Sequence, residues 1–202
     1  MAESADSKGT AGLDRLSRYR WPVLAVLAIF AVHVGVLRWE GRQWWCDCGR
    51  ADLWWGEAWS AHTSQHLFDP YSFTHVLHGV LLCGLLAWLA PRIPAAWRFC
   101  MAVALEATWE VVENSNAVID RYRTSTAFFG YRGDTVANSL GDVLSCAVGF
   151  LLARRLGWRW SLALFVVVEV VVIVWIRDSL TLEILMLFCP IDAIKRWQVG
   201  QG

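Results

Sequence analysis

Glu106, Glu110 and Glu113 interrupt an apolar stretch, and steps of four and then three residues put all three on one stripe of a helix. Upstream, "FTHVLHG" places His75 and His78 three apart, again on one face. Downstream, "GDTVANSLGD" spaces Asp134, Asn138 and Asp142 at steps of four. Carboxylates, an amide and imidazoles in such rows suit three kinds of chemistry: general acid–base catalysis, proton relay, or ligation of a divalent metal. We take Glu110, Glu113, Asp134, Asn138 and Asp142 as the candidate catalytic set. A hydrogen-bonded network that fixes helix register is the purely structural use of the same residues.

Four of the five histidines, His62, His66, His75 and His78, lie between positions 62 and 78, close to the acids. Imidazoles with carboxylates make a first coordination sphere for a divalent metal such as zinc, although no HExxH motif is present. Cys46 and Cys48 in "WWCDCGR" fall in a polar loop and read as a redox pair, a metal pair, or thiols bonded elsewhere. In "DRYRTSTAFFGYRGD", Arg121, Arg123 and Arg132 stand among hydroxyls and aromatics. Planar guanidinium groups bind phosphate or carboxylate in bidentate fashion, so these three are the candidate anion-binding residues, for an anionic lipid headgroup, a lipid-linked phosphate or the acids of this same cluster. Glu169 stands alone in the apolar run "VVVEVVVIVW" and must find an internal partner.

The elements that must position these groups read as membrane helices. The chain has 202 residues, 56% of them hydrophobic and only 18% charged, against roughly 25% in an average soluble domain. Formal net charge is zero, so no basic field invites nucleic acid. Apolar runs at 21–37, 73–90, 96–115, 135–153 and 160–176 each approach the roughly 20 residues that cross a bilayer. "PRIPAAWR" and "RRLGWR" separate neighbouring runs, and a last apolar stretch near 180–198, broken by Glu183, Pro190 and Asp192, reads as interfacial, re-entrant or a sixth crossing. The expected fold is therefore all-α, a polytopic membrane helix bundle of five transmembrane helices, or six if the last stretch crosses. Residues 1–20 read as a disordered cytoplasmic tail and 21–202 as a single transmembrane helical domain.

Arginines flank the first run and fill the turns at 91–98 and 154–159, so the positive-inside rule puts the N-terminus in the cytoplasm. With that orientation the histidines, glutamates and aspartates of the second, third and fourth runs all fall in their outer halves. A carboxylate facing lipid costs roughly 2.5–3.5 kcal/mol on insertion scales, so these groups must face one another. Ala137, Gly141, Ser145 and Gly149 form a small-residue ridge beside the acidic stripe, suited to close helix packing.

The blocks "WSAHTSQHLFDPYSFTHVLHG", "WEVVENSNAVIDRYR" and "GYRGDTVANSLGD" resemble the signature blocks of a small inner-membrane family found mainly in alphaproteobacteria, whose function is unknown. The resemblance spans nearly the whole chain after its N-terminal tail and implies an integral inner-membrane protein. A more distant similarity is to VanZ-like membrane proteins, associated with glycopeptide-antibiotic resistance. His75 or His78, Glu110, and Asp134 with Asn138 and Gly141 occupy the matching places, while Cys46, Cys48 and the extra histidines do not belong to that pattern. That similarity implies work on envelope lipid or a lipid-linked precursor. The expectation is a periplasm-facing polar site that binds or acts on an anionic envelope lipid. The alternative is a non-catalytic accessory subunit docked to a membrane-protein partner.

Overall fold

The computed structural model describes residues 3–126, 128 and 130–200, and side chains from Tyr19 onward. Seven helices follow in order: α1 (Glu3–Trp39), α2 (Ser72–Leu89), α3 (Ala95–Glu113), α4 (Asn116–Ser125), α5 (Val136–Ile176), α6 (Leu180–Phe188) and α7 (Asp192–Gln198). The bounds of α1 take in much of the stretch whose composition suggested a tail. No strand occurs among the described residues, and a single bridge links Trp54 to Phe68. Among the described residues, three helices are long and apolar enough to cross a membrane: Tyr19–Trp39, Ser72–Leu89 and Val136–Ile176. Their outward faces carry Leu81, Leu85, Val148, Val167, Val170 and Val174, all exposed, as a lipid-facing surface requires.

At 41 residues, α5 would be about 60 Å long if straight, twice the hydrocarbon thickness. It is not continuous: Gly157 takes φ 74°, ψ 171°, a backbone that no helix interior allows. The "RRLGWR" turn expected between two spans is thus a break centred on one glycine, leaving arms at 136–156 and 158–176.

Helix α2 lies directly against the first arm of α5, and glycine sets the approach. A Cβ on Gly79 would collide with the Cys146 carbonyl, one on Gly149 with the Val76 carbonyl, and one on Gly141 with the Leu67 carbonyl. The small-residue ridge therefore does what its spacing suggested. On the other side, Val103 and Ala107 of α3 pack with Val143 of α5 against Val26, Ile29 and Phe30 of α1.

The segment 40–71 contains no helix, yet it is anchored to the start of α5. Thr135, Val136 and Ala137 donate their N–H groups to the carbonyls of Ser64, Gln43 and Trp44 at 3.0, 2.8 and 3.2 Å. The first N–H groups of a helix lack intrahelical acceptors, and here the loop supplies them. Glu169 finds its partner at the start of α6, where both carboxylate oxygens lie 3.4 Å from the Thr181 N–H. The positive end of a helix dipole is a natural place for that charge. Helix α6, with nine residues, is too short to cross a bilayer by itself.

Candidate functional site

The stripes foreseen on α2, α3 and α5 meet at one end of the bundle. Glu106 stands at the centre, although the sequence had singled out its neighbours Glu110 and Glu113. His75 Nδ1 lies 2.6 Å from Glu106 Oε1, and His78 Nδ1 lies 2.9 and 3.1 Å from the two Glu106 oxygens. An ionised carboxylate only accepts, so both Nδ1 atoms donate. An orienting carboxylate behind an imidazole is the arrangement found behind general bases and metal-bound histidines. His75 Nε2 points toward Asp142 Oδ2 across 3.9 Å, too long for a hydrogen bond. Asp142 is held by the Ser72 hydroxyl at 2.9 Å.

Glu110 is fully buried and connects the cluster to α1. Its Oε2 lies 2.7 Å from Ser139 Oγ, which lies 2.9 Å from His33 Nε2, while His33 Nδ1 donates to the Ala107 carbonyl at 3.2 Å. Proton counting constrains this line, because Ser139 has one hydroxyl proton and two neighbours. If Ser139 donates to a charged Glu110, it must accept from a His33 protonated on both nitrogens. If His33 is neutral, Ser139 donates to it and Glu110 must carry the proton. The two forms hold equal numbers of protons and differ by a shift along the line. Glu110 Oε1 sits 3.2 Å from His75 Nδ1 but accepts no hydrogen bond, since that proton points at Glu106.

The remaining predicted residues divide. Asp134 is engaged on both sides: Asn114 Nδ2 donates to Oδ2 at 2.6 Å, Tyr131 Oη to Oδ1 at 3.0 Å, and its own N–H donates to Asn114 Oδ1 at 2.7 Å. Burial raises its carboxyl above the ordinary range. Glu113 lies beside Tyr122 and Trp109. Asn138 stands apart from the cluster and donates to the His66 carbonyl at 2.8 Å, pinning the loop. Arg121, Arg123 and Arg132 are not brought together. Arg121 Nε donates to the Leu187 carbonyl at 2.9 Å, Arg123 Nε to that of Tyr131 at 2.6 Å, and Arg132 Nη2 to that of Ala61 at 3.3 Å. The histidines separate into two pairs: His75 and His78 join the acids, while His62 and His66 turn to Cys46 and Cys48.

A cavity of about 270 Å³ opens beside the cluster. Its lining includes His75, His78, Glu113, Asp134 and Asp142 and, from α6, Leu180, Ile184, Met186 and Leu187 together with one acid, Glu183. Asp178 also lines it, accepting from Tyr71 Oη at 3.3 Å and from the Ser179 N–H at 2.9 Å. Burial pushes the Asp178 carboxyl up to about 7, and the same effect brings Asp69 to about 6. Two overlapping groups, which share His75, could take a metal. Donor atoms of His75, His78 and Glu106 lie within 4.8 Å of one another, as do those of His75, Glu110 and Glu113. In the first group a metal would have to displace the protons now shared with Glu106.

Sequence reasoning missed Ser72, Ser139 and Asp178. Serines in apolar runs are common packing residues, so only the fold distinguishes these. Glu106 was legible as one of the three acids on the stripe. Helix α6 was legible as apolar but not as a cavity wall.

Comparisons with known proteins show the family and leave the activity open. A UPF0314 protein of Brucella anthropi is 41% identical over 186 residues, covering 91% of this chain and 94% of its own length. One of Sphingopyxis alaskensis is 42% identical, covering 92% of this chain and 97% of its own. One of Paracoccus denitrificans is 41% identical, with 92% and 95% covered. No solved structure matches the chain. The VanZ-like similarity finds no support in these matches. Matched from residue 37 to residue 200, the chain belongs to the family described as protein of unknown function (DUF2585).

Proposed function

We propose that the chain is an inner-membrane enzyme acting on an amphiphilic lipid, whose polar end enters the His/Glu/Asp cavity while its apolar part lies along α6. The cavity's mixed lining carries the reading: imidazoles and carboxylates share one space with the apolar side chains of α6, among which Glu183 is the single acid. A subunit serving only to dock a partner has no need of a buried acid cluster beside such a space, since each buried charge costs stability.

In this reading α3 and both arms of α5 also cross the bilayer, giving five spans with the N-terminus in the cytoplasm and the cavity toward the periplasm. The arginines of the 91–98 and 154–159 turns support that orientation. Helix α6 then lies at the outer interface as the lipid-side wall. His75 acts as general base through Nε2, oriented by Glu106, and Asp142 faces it across the gap where a reacting hydroxyl or water sits. When Nε2 gains a proton, Glu110, whose unpaired Oε1 lies 3.2 Å from His75 Nδ1, takes the Nδ1 proton and shares it with Ser139 and His33. A lipid phosphate would rest at the rim beside Arg121 rather than among the carboxylates, which repel it unless protonated or bridged by a divalent cation.

Comparing membrane lipids from cells overproducing the wild type with those from cells overproducing His75→Ala at equal abundance tests this. The expected result is one lipid class depleted and a related one accumulated with the wild type alone. Indistinguishable lipid profiles would refute an enzymatic role.

A further inference from the structure

The second pair of histidines belongs to a different site. We propose that Cys46, Cys48, His62 and His66 bind one zinc ion as a closed, four-coordinate structural centre that cross-links the 40–71 loop above the cavity. The four donor atoms lie within 4.8 Å of one another. Cys46 Sγ is 3.3 Å from His62 Nδ1, and Cys48 Sγ is 3.8 Å from His66 Nε2. A tetrahedral zinc with bonds of about 2.3 Å to sulfur and 2.0 Å to nitrogen places sulfur and nitrogen about 3.6 Å apart, between those two distances.

The surroundings are those of a prepared ligand set. His66 is completely buried, and its Nδ1 donates to the Asp52 carbonyl at 3.0 Å. That bond fixes the tautomer and leaves the Nε2 lone pair facing the sulfur, as the outer partners of zinc-bound histidines do. Trp55 stacks on the His66 ring at 5.3 Å and 13°, locking its plane. The Cys48 N–H points at Cys46 Sγ, 3.4 Å away, a contact that stabilises a thiolate. Gly49, at φ 74°, turns the chain immediately after the second thiol. Both cysteines are free thiols. On binding, each thiol releases its proton to solvent and the two thiolates balance the charge of the ion.

Four protein ligands leave no open position, so the centre is structural. Its target is clear from the loop's contacts: the segment has no helix of its own, yet it supplies the carbonyls that cap α5 and accept from Asn138. This inference does not depend on the lipid reading.

The test uses the full chain, purified in mild detergent through a tag without histidine. Metal analysis should give one zinc lost in Cys46→Ser/Cys48→Ser and kept in His75→Ala/His78→Ala. Exchange of the wild type into cobalt should produce a thiolate-to-cobalt charge-transfer band with intense tetrahedral visible bands, a readout that needs no variant to fold. A protein that takes up neither metal, a cobalt spectrum without the thiolate band, zinc lost only with His75 and His78, or a Cys46–Cys48 disulfide in anaerobically prepared protein would each overturn the assignment.

Discussion

At the scale of single residues, the buried acids divide by what they accept. Glu106 takes two imidazole protons, Asp134 an amide and a phenol, and Asp69 the N–H groups of Ser64 and Tyr71 at 2.7 and 2.8 Å. Asp69 gives the clearest pH signature. Its folded carboxyl titrates at about 6, above the roughly 3.9 of an unfolded aspartate, because burial disfavours the charge. The folded state therefore binds the proton more tightly. The stabilisation is complete below about pH 4 and is lost as pH rises through about 6, a change on the order of 3 kcal/mol. Unfolding curves in detergent from pH 4 to 7.5 should show the wild type losing stability relative to Asp69→Asn over this window. Parallel curves would contradict the assignment.

At the scale of elements, the α2–α5 contact decides whether the site assembles, because His75 and His78 sit on one helix and Asp142 and Ser139 on the other. Gly79 faces the Cys146 carbonyl, whereas Gly84, five residues along the same helix, has open space around its Cβ position. Gly79→Val should cost about 3 kcal/mol or more through overpacking against backbone, seen as a several-fold fall in membrane abundance. Gly84→Val should leave abundance unchanged, and equal behaviour of the two would refute the packing. This contact was readable in advance, since the four-residue recurrence from Ala137 to Gly149 has one obvious use. The break in α5 was readable as a turn at "RRLGWR" but not as a single residue, because composition marks a polar stretch without fixing which φ/ψ within it changes. The partner of Glu169 was not readable: the N-terminus of α6 reaches it only through the tertiary fold.

At the scale of the whole molecule, periodicity alone indicated that imidazoles and acids from three helices converge, since lipid leaves such groups no other place. It did not separate the histidines. His62, His66, His75 and His78 are close in sequence, yet the first two turn to the cysteine loop and the last two to the acids. Proximity along a chain cannot distinguish two sites on opposite sides of a bend. Nor did it place the arginines, each of which donates to a distant backbone carbonyl, that of Leu187, Tyr131 or Ala61. The resulting protein has a membrane-type bundle, an acid–imidazole cavity walled by α6, and a cysteine–histidine loop above it. Native mass spectrometry of the purified chain, with identification of the lipids it retains, asks whether that cavity is a lipid site. The wild type should carry one lipid class in near-stoichiometric amount, and Ile184→Trp, which fills the cavity from α6, should lose it while remaining folded. The same mixture of bulk membrane lipids on both proteins would contradict the lipid-binding cavity.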